Sequence, residues 1–191
     1  MQNNSSQPVY QDLKHFSVPK NFRGKSAWVV QLWWIVQSTL FGWSPQFLYE
    51  WRNFLLRLFG AQIGKGVKIR SSARITYPWK LEIGNHSWVG DDTELYTLGT
   101  VKIGNNVAIA HRVYLCTGTH DYQAIAFDIK SYDVVIEDEV WIPNDVFVAP
   151  GVTIGRGTVV GVRSTVLHDL PAGKICYGSP AKPIKDRIMD S

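Results

Sequence analysis

This sequence has little cysteine and no uninterrupted apolar run of membrane-spanning length. Its two cysteines, Cys116 and Cys176, fall in different parts of the chain, which favours free thiols in a reducing cytoplasm over a disulfide framework. No cleavable signal peptide is expected. The most apolar stretch, residues 27–43, is short and is interrupted by polar side chains, so we do not expect it to cross a membrane.

Charge of either sign is also modest. Twenty Lys and Arg residues stand against sixteen Asp and Glu, a net charge of +4. The sequence lacks a basic stripe interleaved with aromatic residues and a helix-turn-helix pattern, so no nucleic-acid partner is expected. The basic residues near the C-terminus fit either a solvated face or a site for phosphate-bearing ligands or anionic lipid.

What the sequence does contain is an aliphatic residue every six positions. Fifteen such positions are occupied by Ile, Val or Leu: Ile63, Ile69, Ile75, Ile83, Val89, Leu95, Ile103, Ile109, Leu115, Ile136, Ile142, Val148, Ile154, Val160 and Val166. A period of six fits neither a helix nor a single alternating strand. It predicts an all-β solenoid, a parallel β-helix of about five triangular coils, each built from three hexapeptides.

The sequence divides into four parts. Residues 1–24 are predicted to be a flexible polar arm, residues 25–60 an apolar and aromatic helical extension, residues 61–176 the β-helix, and residues 177–191 a short C-terminal tail. The helical extension has two open interpretations. It fits a cap on the open end of the solenoid, and its Trp-rich composition also fits peripheral membrane contact through residues 26–59.

The repeat is interrupted once at length, by residues 121–135. Insertions in repeat proteins become loops on one face, which is often the binding face. His120 stands at the edge of this insertion. A histidine on a rigid coil beside a loop is suited to act as a general base.

Motifs around this interruption resemble those of one family. The stretch LCTGTHDY at 115–122 is similar to the surroundings of the catalytic histidine in hexapeptide-repeat O-acetyltransferases that modify sugars. YGSPAKP at 177–183 resembles the exit of these enzymes from the solenoid. ITYPWKLEIG at 75–84 resembles the colanic-acid-biosynthesis type, which is related to the maltose and galactoside acetyltransferases. The resemblance covers residues 45–187.

The resemblance implies a left-handed β-helix that assembles as a homotrimer and binds acetyl-CoA between subunits, with no metal required. It implies transfer of the acetyl group to a hydroxyl of a sugar or of an exopolysaccharide or lipopolysaccharide precursor. His120 would be the general base, and the hydroxyl would attack the thioester directly without an acyl-enzyme. The expected location is the cytoplasm, with the inner face of the membrane as an open alternative.

The resemblance also implies the cofactor-binding residues, which are Trp141, Asn144, Gly161, Val162, Ser164, Lys182 and Arg187. One departure concerns the CoA phosphates. Leu167 and His168 stand where the family often has Thr and Lys, so Lys182 or Arg187 is expected to take over that contact.

A second departure concerns the acceptor. Gly90 and Leu98 stand where maltose- and galactoside-type relatives carry an Asn and an Asp that hold the sugar. The expected substrate-binding residues are therefore others, namely Asp91, Asp92, Asp121 and Tyr122. For Asp91 and Asp92 the alternative role is that of turn-formers, which surface carboxylates in a turn more often have.

Two other functions stay open. The stretch around His111 resembles part of the hexapeptide-type carbonic anhydrases, and His111, Cys116 and His86 would supply an incomplete zinc site. The second alternative is a non-catalytic trimeric scaffold. The intact His120 motif favours the acetyltransferase over both.

Overall fold

The computed structural model describes residues 9–189. Helices occupy mainly the N-terminal part of this range. They are a 3₁₀ turn (Leu13–His15), α1 (Ala27–Val36), which continues into a π-helical turn (Gln37–Phe41), α2 (Tyr49–Leu58), and a 3₁₀ turn (Pro78–Lys80).

The rest of the chain forms short strands. In order these are β1 (Gln62–Ile63), β2 (Lys68–Ile69), β3 (Arg74–Ile75), β4 (Leu81–Ile83), β5 (Trp88–Val89), β6 (Glu94–Tyr96), β7 (Val101–Ile103), β8 (Ala108–Ile109), β9 (Tyr114–Cys116), β10 (Gly118–His120), β11 (Ile129–Ser131), β12 (Val134–Ile136), β13 (Trp141–Ile142), β14 (Phe147–Val148), β15 (Thr153–Ile154), β16 (Val159–Val160), β17 (Thr165–Val166), β18 (Lys174–Gly178) and β19 (Ala181–Asp186).

Seventeen of these strands build three sheets around one axis, and β10 and β11 form a separate two-stranded sheet. Sheet 1 has the order β1-β4-β7-β12-β15, sheet 2 the order β19-β18-β16-β13-β8-β5-β2, and sheet 3 the order β17-β14-β9-β6-β3. Within these three sheets, all neighbours are parallel except the terminal pair β18 and β19, which is antiparallel. The chain visits sheets 1, 2 and 3 in turn, so the cross-section is a triangle and the predicted parallel β-helix is confirmed.

The solenoid is longer than the predicted five coils. Leu170 forms a parallel bridge with Ile154, and β18 pairs with β16, so part of a sixth coil is present. Periodicity missed this coil for two reasons. Leu170 follows Val166 after four residues rather than six, and the next inward position is Cys176, which is fully buried but not aliphatic.

The six-residue positions form the core. Their side chains are buried in columns, one behind each sheet, and only Ile63 in the first coil is partly exposed. Burying one aliphatic side chain of this size stabilises the folded state by about 1.5–3 kcal/mol relative to leaving it exposed. No single coil could bury these residues alone, so the coils are stable only as a stack.

Side chains of the two helices donate hydrogen bonds to backbone carbonyls that the first coil leaves unpaired. Trp33 Nε1 donates to the Ile75 carbonyl over 2.7 Å, and Arg52 Nε donates to the Ile69 carbonyl over 2.7 Å. Asn53 Nδ2 donates to Val67 over 2.9 Å. These bonds close the sheet edges that would otherwise be exposed at this end of the solenoid.

The opposite side of the helical extension is apolar and exposed. Trp28 is 86% exposed and Trp43 83% exposed, whereas Trp33 on the inner side is completely buried. None of the helices formed by residues 9–189 has the length and apolar character needed to span a bilayer.

Candidate active site

His120 is placed by a hairpin that leaves the solenoid. After β9, the chain continues at the corner between sheet 3 and sheet 1 into β10, which pairs antiparallel with β11. His120 is the last residue of β10 and lies opposite Ile129. The insertion is therefore anchored at its base by strand pairing, and His120 is one of the paired residues.

The imidazole of His120 is contacted by two aromatic rings and is bonded at one nitrogen. Its Nδ1 lies 2.8 Å from the Phe127 carbonyl oxygen. The Phe127 ring is stacked on it, with centroids 4.1 Å apart and planes 8° apart. The Phe16 ring is tilted against the imidazole, with centroids 5.7 Å apart and planes 52° apart. A carbonyl oxygen only accepts, so Nδ1 carries the hydrogen and the neutral ring keeps its lone pair on Nε2.

The next two residues differ in their environment. Asp121 is paired with Lys130 on β11 over 2.8 Å, and this bond with Lys130 holds the pKa of Asp121 below its ordinary value. Its carboxylate also accepts from the Gln123 amide over 3.0 Å. Tyr122 is 81% exposed at the hairpin tip. Both lie beside His120, and Asp121 is already engaged within the hairpin.

The N-terminal arm crosses this hairpin. The Asp12 amide donates to the Ile125 carbonyl over 2.8 Å, and Phe16 reaches the His120 ring. Residues 9–16 therefore cover one side of the insertion. Neither Phe16 nor Phe127 was selected from the sequence, because nothing in the six-residue pattern extends to the arm or to the hairpin tip.

Asp91 and Asp92 lie at a different corner, between sheets 2 and 3. The Asp91 carboxylate accepts from Arg70 Nε over 2.7 Å and from the Ser72 hydroxyl over 2.9 Å. Burial acts to raise the pKa of Asp91, but the bonds from Ser72 and Arg70 outweigh it and hold the pKa below the ordinary value. Asp92 adopts a left-handed conformation with φ of +54°. These contacts are those of a coil corner.

Trp141 and Asn144 belong to this second side of the triangle. Trp141 lies on β13 in sheet 2 and is 49% exposed. Asn144 Oδ1 accepts from the His111 amide over 3.2 Å. Because sheet 2 lies opposite the corner that carries His120, the structure does not bring His120 and Trp141 together within one chain.

Two of the predicted residues of the last coils, Gly161 and Ser164, contact the second half of β18. The Gly161 amide donates to the Cys176 carbonyl over 2.7 Å, and a Cβ on Gly161 would approach Tyr177 Cβ to 2.4 Å. Ser164 is buried, and its Oγ accepts from the Gly178 amide over 3.1 Å. Val162 is 62% exposed.

Two basic residues were expected to contact the CoA phosphates. Lys182 is exposed on β19. Arg187 Nη1 donates to the carbonyls of Glu139 and Gly157 over 3.0 and 2.9 Å. Arg187 therefore ties the end of the chain to coils 4 and 5.

The residues of the zinc alternative are spread over the solenoid. His111 Nδ1 accepts from the Asp91 amide over 3.0 Å, and Cys116 is buried at the end of β9. Within residues 9–189, no group of three or more His, Cys, Asp or Glu side chains is arranged to hold a metal ion.

The class defined by these features is a hexapeptide-repeat β-helix with a histidine at the interruption of its coils. A family model described as bacterial transferase hexapeptide (six repeats) matches residues 133–168. The chain is 59% identical, over 93% of its length and 98% of the relative's, to WcaF of Escherichia coli strain K12, whose name assigns it to colanic acid biosynthesis as an acetyltransferase. The chain belongs to the hexapeptide-repeat acetyltransferases, in their colanic-acid-biosynthesis branch.

Solved structures share the fold. A maltose O-acetyltransferase from Clostridium difficile 630 is 27% identical and superposes with a TM-score of 0.76 over 86% of this chain and 90% of that one. The acetyltransferase VCA0836 from Vibrio cholerae O1 biovar eltor, complexed with acetyl-CoA, is 23% identical with a TM-score of 0.77 over 87% of this chain and 92% of that one. At that identity, the second likeness concerns the fold alone.

Proposed function

We propose that this protein is an O-acetyltransferase that moves the acetyl group of acetyl-CoA to a hydroxyl of a sugar or of an exopolysaccharide or lipopolysaccharide precursor. The observation that carries the proposal is the bond between His120 Nδ1 and the Phe127 carbonyl. It leaves Nε2 as the unprotonated nitrogen of the neutral ring, which is the state a general base requires. The acetyltransferase names of the relatives support the reaction class.

His120 has one chemical task in this reaction. Its Nε2 takes the proton from the acceptor hydroxyl as that oxygen attacks the thioester carbonyl. A C–O bond forms, the C–S bond breaks, and the proton is passed on to the leaving thiolate. The positive charge on the imidazolium is stabilised by the Phe127 carbonyl, which stays bonded to Nδ1–H throughout. Acetyl-CoA supplies the activated acyl group.

Neither cysteine is assigned a role as nucleophile. Burial raises the pKa of the Cys116 thiol, and burial likewise raises that of Cys176. The thiolate is the nucleophilic form of cysteine, so both side chains are poorly suited to carry an acyl group. Direct attack by the acceptor is the mechanism that this environment favours.

The catalytic unit is a homotrimer. His120 lies at the corner between sheets 3 and 1, whereas Trp141 and Asn144 lie on sheet 2 and its following corner. A ring of three copies that places the corner of one subunit against sheet 2 of the next would unite them, because head-to-tail contacts of this kind close under threefold symmetry. The site is incomplete without the neighbouring copy.

We place the enzyme in the cytoplasm, with its helical extension against the inner face of the membrane. Residues 26–49 contain no Asp, Glu, Lys or Arg, and Trp28 and Trp43 are almost fully exposed there. Exposed apolar patches of this kind mark interaction surfaces. Exposed Arg23 and Lys25 lie just before the patch, which suits an anionic lipid surface.

A transfer assay tests the proposed function. Purified protein is mixed with acetyl-CoA and with free, nucleotide-linked or lipid-linked sugars, and free CoA thiol is measured. We expect acceptor-dependent thiol release with one of these classes. Absence of acetyl-CoA binding by calorimetry, together with bound zinc, would instead favour the carbonic-anhydrase-like alternative. Absence of both would favour the scaffold.

A further inference from the structure

The outer face of sheet 2 carries two tryptophans separated by an alanine. Trp88 pairs with Ala108 in the next coil, and Ala108 pairs with Trp141 in the coil after that. The two tryptophans are 54% and 49% exposed. Successive strands lie about 4.8 Å apart, so the two tryptophan backbones are about 10 Å apart with only a methyl group between them.

One face of Trp88 is already occupied. Lys68 Nζ lies over its ring, 5.0 Å from the centroid, on the side of the first coil. The other face therefore points toward Ala108 and the gap. An interval of about 10 Å accommodates one ring with a stacking contact of about 5 Å on each side.

This gap is part of an open groove of about 580 Å³. We call it the tryptophan slot, and its walls and floor are Trp88, Ala108 and Trp141. Lys68, Arg70 and His111 also line the groove, and none of the Asp and Glu residues between positions 9 and 189 lines it. An anionic group on a ligand would therefore meet basic side chains.

These basic groups are not equivalent. Arg70 is already paired with Asp91 over 2.7 Å. His111 accepts at Nδ1 from the Asp91 amide over 3.0 Å, and the Asp91 carboxylate lies 3.5 Å from the same nitrogen. The neutral ring therefore carries its hydrogen on Nε2, away from Asp91, and has a donor to offer there. Within residues 9–189, no carboxylate lies within ion-pair distance of Lys68, whose ammonium group lies over the Trp88 ring. Lys68 and His111 are therefore the groups available to an anion.

We propose that the tryptophan slot holds a pyranose ring of the acceptor that bears an anionic group, either a uronate carboxylate or a phosphate. The inference rests on the proposed function and gives its substrate class. The polarised C–H groups of a pyranose face stack on the electron-rich faces of Trp88 and Trp141, and Lys68 and His111 bind the anion.

The height of the slot supports an acceptor over the nucleotide end of CoA. Ala108 and His120 belong to the same chain segment that forms the third coil, so the slot of one subunit is level with the histidine of a neighbour related by an axis parallel to the solenoid. The nucleotide of acetyl-CoA is separated from the thioester by the whole pantetheine arm. A ring held level with the base is therefore close to the reacting hydroxyl.

Saturation-transfer NMR on the full-length protein tests the proposal with three probes: methyl β-D-glucuronide, α-D-glucose 1-phosphate and methyl β-D-glucoside. We expect at least one anionic sugar to bind about fivefold or more tightly than the neutral glucoside. Binding of the glucuronide alone identifies a uronate as the anion, and binding of the phosphate alone identifies a glycosyl phosphate. Equal binding of all three, or no binding, overturns the proposal.

Two variants locate the site. Ala108→Leu fills the slot and should abolish binding of the anionic sugar, whereas Val159→Leu, which pairs with the other side of Trp141 in the same sheet, should leave it intact. Lys68→Met should reduce the preference for the anionic sugar. Unchanged binding in Ala108→Leu, or an unchanged preference in Lys68→Met, counts against the assignment. Thermal unfolding verifies that each variant is folded.

Separate readouts distinguish the two proposals. Wild-type protein that transfers acetyl groups from acetyl-CoA but does not bind anionic sugars refutes only the tryptophan slot as the acceptor site. Protein that binds these sugars in the slot but neither binds nor consumes acetyl-CoA refutes the transferase.

Discussion

His120 Nδ1 is bonded to the carbonyl oxygen of Phe127, and the ring of the same residue is stacked on the imidazole. One residue thus sets both the tautomer of the histidine and the plane of its ring. Phe127 itself has φ of +54°, which is uncommon for a bulky side chain. This strained backbone is stabilised by the hairpin, whose strands pair up to Ile129, and it points the carbonyl at the histidine.

Replacing His120 with alanine should reduce acetyl transfer by about 10²–10⁴-fold, the range expected for loss of a general base. Acetyl-CoA binding, measured by calorimetry, should stay within about twofold, since the base acts only in the transition state.

His86→Asn is the matched control. It changes a corner histidine with φ of +59°, a conformation that asparagine tolerates, and should retain activity. Full activity in His120→Ala removes the assigned base, and loss in His86→Asn revives the metal-binding alternative.

Mixed trimers should recover activity from two inactive variants. His120→Ala and Trp141→Gly remove groups that lie on different sides of the triangle, so each is expected to be poorly active alone. When subunits mix at random in a threefold ring, about one interface in four contains both native residues. Co-expression of the two variants should therefore restore roughly a quarter of the native rate. Restoration is measured against a mixture of separately purified variants that have not exchanged subunits. A native monomer in sedimentation velocity, or no recovery in proven mixed trimers, contradicts the shared site.

The six-residue pattern predicted the fold well because the inward residues of a β-helix depend only on local periodicity. Ile69, Leu95 and Val148 lie in the core where the period puts them. The sixth coil was missed where this local rule fails, at the shortened step to Leu170 and at the thiol of Cys176. Leu170 and Cys176 are recognised as inward positions only by their pairing with Ile154 and Val160 in the preceding coil. A sequence alone does not show this pairing.

The site could be predicted only in part for a similar reason. His120 was recognisable because it borders the interruption and stands in a familiar motif. Its partners, Phe16 and Phe127, depend on how the arm crosses the hairpin and on the backbone torsion at its tip. Neither follows from residue type. The opposition of Trp88 and Trp141 across Ala108 is in register with the repeat, because these residues directly precede the inward positions Val89, Ile142 and Ile109. The contact of Lys68 with the Trp88 ring, however, depends on side-chain conformations that residue type does not specify.

The two cysteines should resist alkylation in the folded protein. Both are buried, and burial raises the pKa of each thiol, so little thiolate is exposed to the reagent. Iodoacetamide at pH 8 should modify neither cysteine in native protein and both after denaturation, as measured by intact mass. Cys116→Ala should keep acetyl transfer within about threefold, because no acyl-enzyme is formed. An acetylated protein species that accumulates in the wild type and is absent in Cys116→Ala would contradict direct transfer.

Arg52 should be the main polar support of the cap. Its guanidinium is completely buried and donates to Ile69, Pro45 and Gln46 carbonyls and to the Ser44 hydroxyl. Arg52→Met should lower the free energy of unfolding by about 2–4 kcal/mol, because each buried carbonyl left without a donor costs about 1–3 kcal/mol.

Arg74→Met on the exposed face of β3 is the control and should change the free energy of unfolding by no more than about 0.5 kcal/mol. Denaturant unfolding is compared at one fixed protein concentration, since assembly contributes to stability. Equal effects of the two substitutions would show that the cap does not depend on Arg52.

The exposed face of the helical extension should bind anionic lipid. Wild-type protein should co-sediment with vesicles that contain phosphatidylglycerol and much less with phosphatidylcholine alone, and added salt should weaken the binding because the basic residues beside the patch are screened. Exchanging both Trp28 and Trp43 for glutamate should reduce vesicle binding by about tenfold or more, since charged side chains replace the interfacial aromatic rings.

Ile188→Glu alters an equally exposed apolar side chain near the C-terminus and should have little effect. Equal binding to both vesicle types contradicts anionic recognition. If the tryptophan variants instead lose self-association in sedimentation velocity and the wild type ignores vesicles, the face is an interface between copies of the chain.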